Sequence, residues 1–227
     1  MDHRSLAVTV HENGLAFRAE PIDFREFEDL TVEKLRTFTK YEQFDGIEVI
    51  DDFNEIAHGS NVVIPFEELD EIFRLLTTFV NNPYLFIATY DLPEITLNKF
   101  FPLLARLQIR QITMGYCGEQ GVNLLTTVLT SSTRLKGIRI YGDWPAELMP
   151  LLTEKILSNG VTSLYLRSVP TFKFSLEFFK QLFDQLEQSD VPQTEKELDF
   201  LISFSASTTI TVSRHYVGRI NVHCFKS

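Results

Sequence analysis

The feature that most constrains this chain is one short strand-like phrase, written four times at one spacing between Pro83 and Val169. Apolar residues two apart stand at Phe86 and Ala88, Ile112 and Met114, Ile138 and Ile140, then Leu164 and Leu166, each pair about 26 residues after the last. In all but the first copy an apolar residue sits three positions earlier (Ile109, Leu135, Val161), and three positions after each pair come Asp91, Cys117, Asp143 and Val169. Phe44, Ile47 and Val49, followed by Asp52, fit the same frame and make a fifth copy. From Ile47 to Phe86 is roughly 39 residues, one repeat plus about 13, so the excess is assigned to a surface loop over the polar stretch Asp51 to Pro65.

Each copy is followed by a stretch of helical period: Phe66 to Phe79 with Asn81-Asn82-Pro83 as its terminator, Leu97 to Leu107, Val122 to Leu129, Leu148 to Leu157, and Phe174 to Leu186. Turns are expected at Gly142-Asp143-Trp144-Pro145, at Asn159-Gly160 and over Val191 to Glu197. Strand followed by helix, repeated, implies parallel strands, and a unit that cannot bury its own apolar face must stack on its neighbours. The expected fold is therefore α/β, a solenoid with a parallel concave sheet, outer helices and hairpin caps at both ends. Strands are placed near residues 47, 86, 112, 138 and 164, with a sixth at Leu198 to Phe204. Residues 1–43 form the N-terminal cap, a hairpin from Leu6 to Arg18 turning at Asn13-Gly14, then a helix from Val32 towards Tyr41 with Thr31 as N-cap. Residues 44–204 carry the repeats. Residues 205–227, alternating over Thr208 to Val212 and Tyr216 to Phe225, form a closing two-stranded element.

At 227 residues the chain can bury one substantial core, so a single domain over 1–227 is the default. It has no apolar run of about 18 residues, and Met1-Asp2-His3-Arg4 does not open a secretory signal. Two cysteines, Cys117 and Cys224, are too few for a disulfide framework. Together these point to a soluble protein of the cytoplasm. A net charge of −10 repels phosphate backbones, which argues against nucleic acid as a general partner.

With frame, spacing and Cys117 in hand, Ile112-Thr-Met-Gly-Tyr-Cys117 followed by a helix near Gly121 resembles the cysteine-containing leucine-rich repeats of F-box substrate receptors. Leu135-Lys-Gly-Ile-Arg-Ile-Tyr-Gly-Asp-Trp-Pro145, with Leu164-Tyr-Leu-Arg167, is similar to nematode-expanded families of F-box-associated proteins with degenerate repeats. The resemblance covers roughly residues 44 to 190. It implies a protein-protein interaction module, the substrate-recognition part of a ubiquitin-ligase receptor. It does not extend to the F-box itself, because the first forty or so residues read as hairpin and one helix.

Candidate chemistry is sparse. His11, His58, His215 and His223 lack the close paired spacings of a zinc site, and neighbouring His223 and Cys224 would point to opposite faces of a strand, so no metal and no cofactor are expected. Nucleophile-elbow, phosphate-loop and dinucleotide motifs are missing, which favours a non-enzyme. Asp51-Asp52 and Glu67-Glu68 fit solvation and the helix dipole better than paired catalytic carboxylates. Cys117, in the repeat's N/C position, is read as structural. The alternative function is an enzyme of unrecognised family with a cleft near the 51–65 insertion.

The positive signal lies on residues that alternate with the buried pairs: Thr113, then Arg139 and Tyr141, then Tyr165 and Arg167. One repeat apart, Arg139 should neighbour Tyr165 and Tyr141 should neighbour Arg167 on the concave sheet. Tyrosine and arginine are over-represented at interface hot spots, so these five residues are the candidate protein-binding surface. Cross-strand pairs of this kind also stabilise a sheet surface with no partner at all.

Overall fold

The computed structural model describes residues 2–20, 28–38, 42–51, 62–88, 92–158, 161, 163–167, 169, 171–188, 198–205, 208–215 and 219–226. Strands β1 (Asp2–His11) and β2 (Gly14–Glu20) form an antiparallel hairpin. β3 (Glu28–Asp29) pairs with β2, and α1 (Val32–Thr37) follows. The chain then runs β4 (Glu42–Asp51), β5 (Ile64–Pro65), α2 (Leu69–Leu76), β6 (Val80–Ile87), α3 (Glu94–Leu104), β7 (Gln111–Gly115) and α4 (Gly118–Ser131). It continues through β8 (Gly137–Tyr141), α5 (Met149–Leu157), β9 (Ser163–Arg167), α6 (Leu176–Gln188), β10 (Leu198–Ser205), β11 (Thr208–His215) and β12 (Arg219–Lys226). Single 3-10 turns at Phe66–Glu68 and Ala146–Leu148 lead into α2 and α5.

All strands join one open, mixed sheet in the order β12-β11-β10-β9-β8-β7-β6-β4-β1-β2-β3, with β5 on β2. From β4 through β6 to β10 every neighbour is parallel, as the strand-helix alternation predicts, and β1, expected only as part of a capping hairpin, also pairs parallel with β4. The antiparallel strands sit at the two flanks. Parallel neighbours connected in one direction with the usual right-handed crossover place their helices on one face. One apolar core accordingly unites Ile112, Ile138 and Leu164 of the strands with Phe100, Leu124 and Leu152 of the helices. Phe100 makes edge-to-face ring contacts with Phe17 of β2, at 6.3 Å, and with Phe73 of α2, at 5.5 Å. Successive helices pack pairwise from α1 to α6.

Hydrogen bonds between consecutive units lock this order. The Ser132 hydroxyl donates to the Ile109 carbonyl (2.6 Å), Lys155 Nζ donates to the Ser132 carbonyl (2.7 Å), and Gln108 Oε1 accepts from the Thr133 amide (3.2 Å). Each satisfies a backbone or side-chain group where a helix ends and the next strand begins. Burial lowers the pKa of the Lys155 amine.

Several local expectations are corrected. The first repeat copy is out by one residue: Leu85 and Ile87, not Phe86 and Ala88, align with Ile112 and Met114 and enter the core. A one-residue slip transfers every side chain to the other face, so Phe86 lies on the side away from the helices. Asn81 to Pro83 do not terminate α2, which ends at Leu76; they lie inside β6. α1 has the expected Thr31 cap, whose Oγ1 accepts from the Lys34 amide at 3.1 Å, but it stops at Thr37. The β1–β2 turn is Glu12-Asn13, with Gly14 already in β2.

In the third copy Asp143 is exposed and Trp144 takes the inward place, fully buried. Gly142 at φ +93° lets the chain turn one residue further before re-entering the core. The Trp144 indole N–H donates to the Tyr141 carbonyl at 2.9 Å, and Thr171 donates to the Trp144 carbonyl. Of the 51–65 insertion, 52–61 lie outside the described residues, while Ile64–Pro65 pair with Gly14 and Leu15. The turns expected at Asn159-Gly160 and Val191 to Glu197 also lie outside them.

Candidate interaction face

Among the described residues, the sheet face opposite the helices is uncovered over β6 to β9, where Arg139 and Arg167 are exposed. Register fixes its rows. One runs Ala7, Glu48, Phe86, Thr113, Arg139, Tyr165; the next towards the strand ends runs Gly115, Tyr141, Arg167. Arg139 is therefore directly opposite Tyr165 and Tyr141 opposite Arg167. Arg139 and Arg167 are exposed, whereas Tyr141 and Tyr165 are half-buried.

The two tyrosine rings meet across the diagonal of this square, with centroids 5.6 Å apart and planes tilted by 58°. The arginines occupy the other diagonal. Thr113 is in the same row as Arg139 but differs from its neighbours: it is only 3% exposed, covered between Phe86 and Arg139 on the flanking strands. Its hydroxyl has no hydrogen-bond partner. In the free chain Thr113 supplies floor rather than contact surface. A three-atom side chain between a phenylalanine and an arginine about 4.8 Å away on either side is overshadowed, which alternation alone does not register.

Around Thr113 the floor is low. Gly115 and Gly137 are on β7 and β8, and a methyl group on Gly137 would come 2.8 Å from Gln111 Cγ, so the glutamine stem lies across the glycine. On the β6 side rises a second aromatic pair that the sequence reading missed: Tyr84 and Phe86, stacked with planes 10° apart and centroids at 6.2 Å. Period-2 alternation from Leu85 and Ile87 contains the signal, obscured because equal spacing had assigned Phe86 inward. The open face thus has an aromatic shelf on β6, a shallow saddle on β7 and β8, and the Tyr/Arg square on β8 and β9.

Elsewhere the chemistry-bearing residues stay apart. Cys117 is buried with its Sγ beside Gly121, and burial raises its thiol pKa to about 11. Glu67 and Glu68 are exposed in the turn that opens α2; Asp51 ends β4, and Asp52 lies outside the described residues. His11 is half-buried at the end of β1, His215 and His223 are in β11 and β12, and His58 is outside the described residues. Among the described residues no group of three His, Cys, Asp or Glu side chains could hold a metal ion. No helix among them is long and apolar enough to cross a membrane. A scan of protein-family models, a search of curated proteins and a search of solved structures each found no match to this chain.

Proposed function

We propose that this chain is a protein-protein interaction module, built as a leucine-rich-repeat-like solenoid and binding its partner on the sheet face away from the helices. The observation that carries this reading is the Tyr/Arg square: Arg139, Tyr141, Tyr165 and Arg167 form one contiguous patch with both arginines exposed. Aromatic rings and guanidinium groups bring contact area, stacking and directed hydrogen bonds to an interface at modest entropic cost. The patch is carried on paired parallel strands, so little backbone ordering is needed on binding. The setting suggested by the sequence resemblance is target recognition for a ubiquitin ligase, with the adaptor contact supplied outside this fold, in the cytoplasm.

The test is photo-cross-linking from position 165, with position 99 on the exposed side of α3 as control. A partner captured from 165 and not from 99, and lost in Arg167→Ala, supports the reading. Tyr165→Ala or Arg167→Ala should cost about 2 kcal/mol of partner binding, roughly thirtyfold in affinity, with little change in melting temperature. Falling melts with undiminished capture by the folded fraction would mean that these side chains serve the sheet and that binding occurs elsewhere.

A further inference from the structure

Resting on that reading, we infer the chemistry of the partner: an extended acidic segment whose alternate carboxylates pair with Arg139 and Arg167. Four cations of the described residues have acids of their own, whereas Arg74 of α2, Lys99 of α3 and Lys180 of α6, like the two arginines of the square, form no ion pair among those residues. Arg18 pairs with Asp29, Lys34 with Glu28, Arg36 with Glu71 and Arg106 with Asp70. Among the described residues neither Arg139 nor Arg167 forms an ion pair, on a chain that carries ten surplus negative charges. Two unpaired like charges on adjacent strands repel, and an anion relieves that repulsion.

Geometry selects the arrangement of the anions. Arg139 and Arg167 are one strand and two residues apart, so their Cα atoms are separated by roughly 8 Å, from about 4.8 Å between strands and about 6.6 Å along them. The Tyr141–Tyr165 ring contact lies on the crossing diagonal and stands between them. With the rings between the two arginines, two separate carboxylates are favoured over one shared anion. In an extended peptide, side chains at i and i+2 emerge on the same side about 6.6–6.8 Å apart, roughly 1 Å short of this separation, a gap that the flexible arginine side chains span. The intervening backbone would cross the tyrosine rings. The net negative charge of the whole chain does not forbid this, because at physiological salt distant acids are screened beyond about 8 Å while the contacting pairs are not.

The test is an NMR titration of the full ¹⁵N-labelled chain with an alternating Asp-Ala peptide of about twelve residues, long enough to cross the square when extended, read at the Nε–H signals of Arg139 and Arg167. Both signals should shift on one saturating isotherm, and the Asn-Ala counterpart should bind at least about tenfold more weakly, since the charge-assisted bonds are lost. Arg139→Gln should weaken the isotherm read at Arg167 about tenfold, whereas Arg134→Gln, exposed in the loop before β8, should leave it unchanged. Equal binding of the two peptides, no effect of Arg139→Gln, or tighter binding of a single-stranded DNA of equal charge would each overturn the inference. Should the peptide fail while cross-linking from position 165 still captures a partner in an Arg167-dependent way, the acidic ligand is wrong and the interaction face stands.

Discussion

Gly121→Ala is the substitution for which helix propensity and tertiary packing predict opposite signs. Gly121 is in the first turns of α4, where alanine in place of glycine is normally worth about 0.5–1 kcal/mol of added stability. Here the new methyl carbon would be 2.5 Å from Cys117 Sγ and 3.5 Å from Met114 Cε. The sulfur contact is about 1 Å inside the roughly 3.5–4.0 Å at which such atoms rest. Cys117 is only 7% exposed, so relief requires an off-rotamer thiol or a shift of α4 off the sheet, an overpacking cost of about 1–3 kcal/mol.

The overpacking outweighs the propensity gain, leaving a net loss of about 1–2 kcal/mol. Cys117→Ala removes the obstructing atom and should cost about 1 kcal/mol alone. In the double variant the methyl occupies the vacated space, so the losses should not add, with a coupling of about 2 kcal/mol in favour of the pair. Urea denaturation of the four proteins at constant m-value measures each term. A Gly121→Ala protein more stable than wild type, or strictly additive losses, would refute the packing argument.

Two further outcomes concern single buried groups. The Cys117 thiol is held up near 11 against an ordinary value of 9.0, so the folded protein retains its proton where the unfolded chain loses it. Its stabilising contribution is complete below pH 9 and disappears as pH rises to about 11, and the stability difference between wild type and Cys117→Ala should shrink across that window. At pH 8 the lower thiolate fraction alone should slow iodoacetamide alkylation of Cys117 about a hundredfold relative to the unfolded chain. Comparable rates would place the thiol in solvent. Thr113→Val replaces a buried hydroxyl that has no partner by a methyl group of the same shape, and should raise stability by about 1 kcal/mol in the same urea assay. A loss of stability would show that the hydroxyl is hydrogen-bonded.

The sequence by itself determined the strand-helix alternation, the parallel order from β4 to β10 and the inward pairs at Ile112, Ile138 and Leu164, because the period of an apolar pattern is a local property that the core then reads directly. It also contained the adjacency of Arg139 with Tyr165 and Tyr141 with Arg167, since equal repeat spacing fixes register. Spacing failed wherever one residue was gained or lost: Phe86 for Leu85, and Asp143 for Trp144, where Gly142 turns the chain through positive φ. Only tertiary structure decided how far a correctly oriented side chain reaches solvent. Thr113 is on the same face as Arg139 and yet is buried, because exposure depends on the bulk of the residues on the neighbouring strands, which are distant in sequence. For the same reason the space that Gly121 leaves for Cys117 Sγ, and the tyrosine contact that separates the two arginines, exist only once the helices and strands have packed.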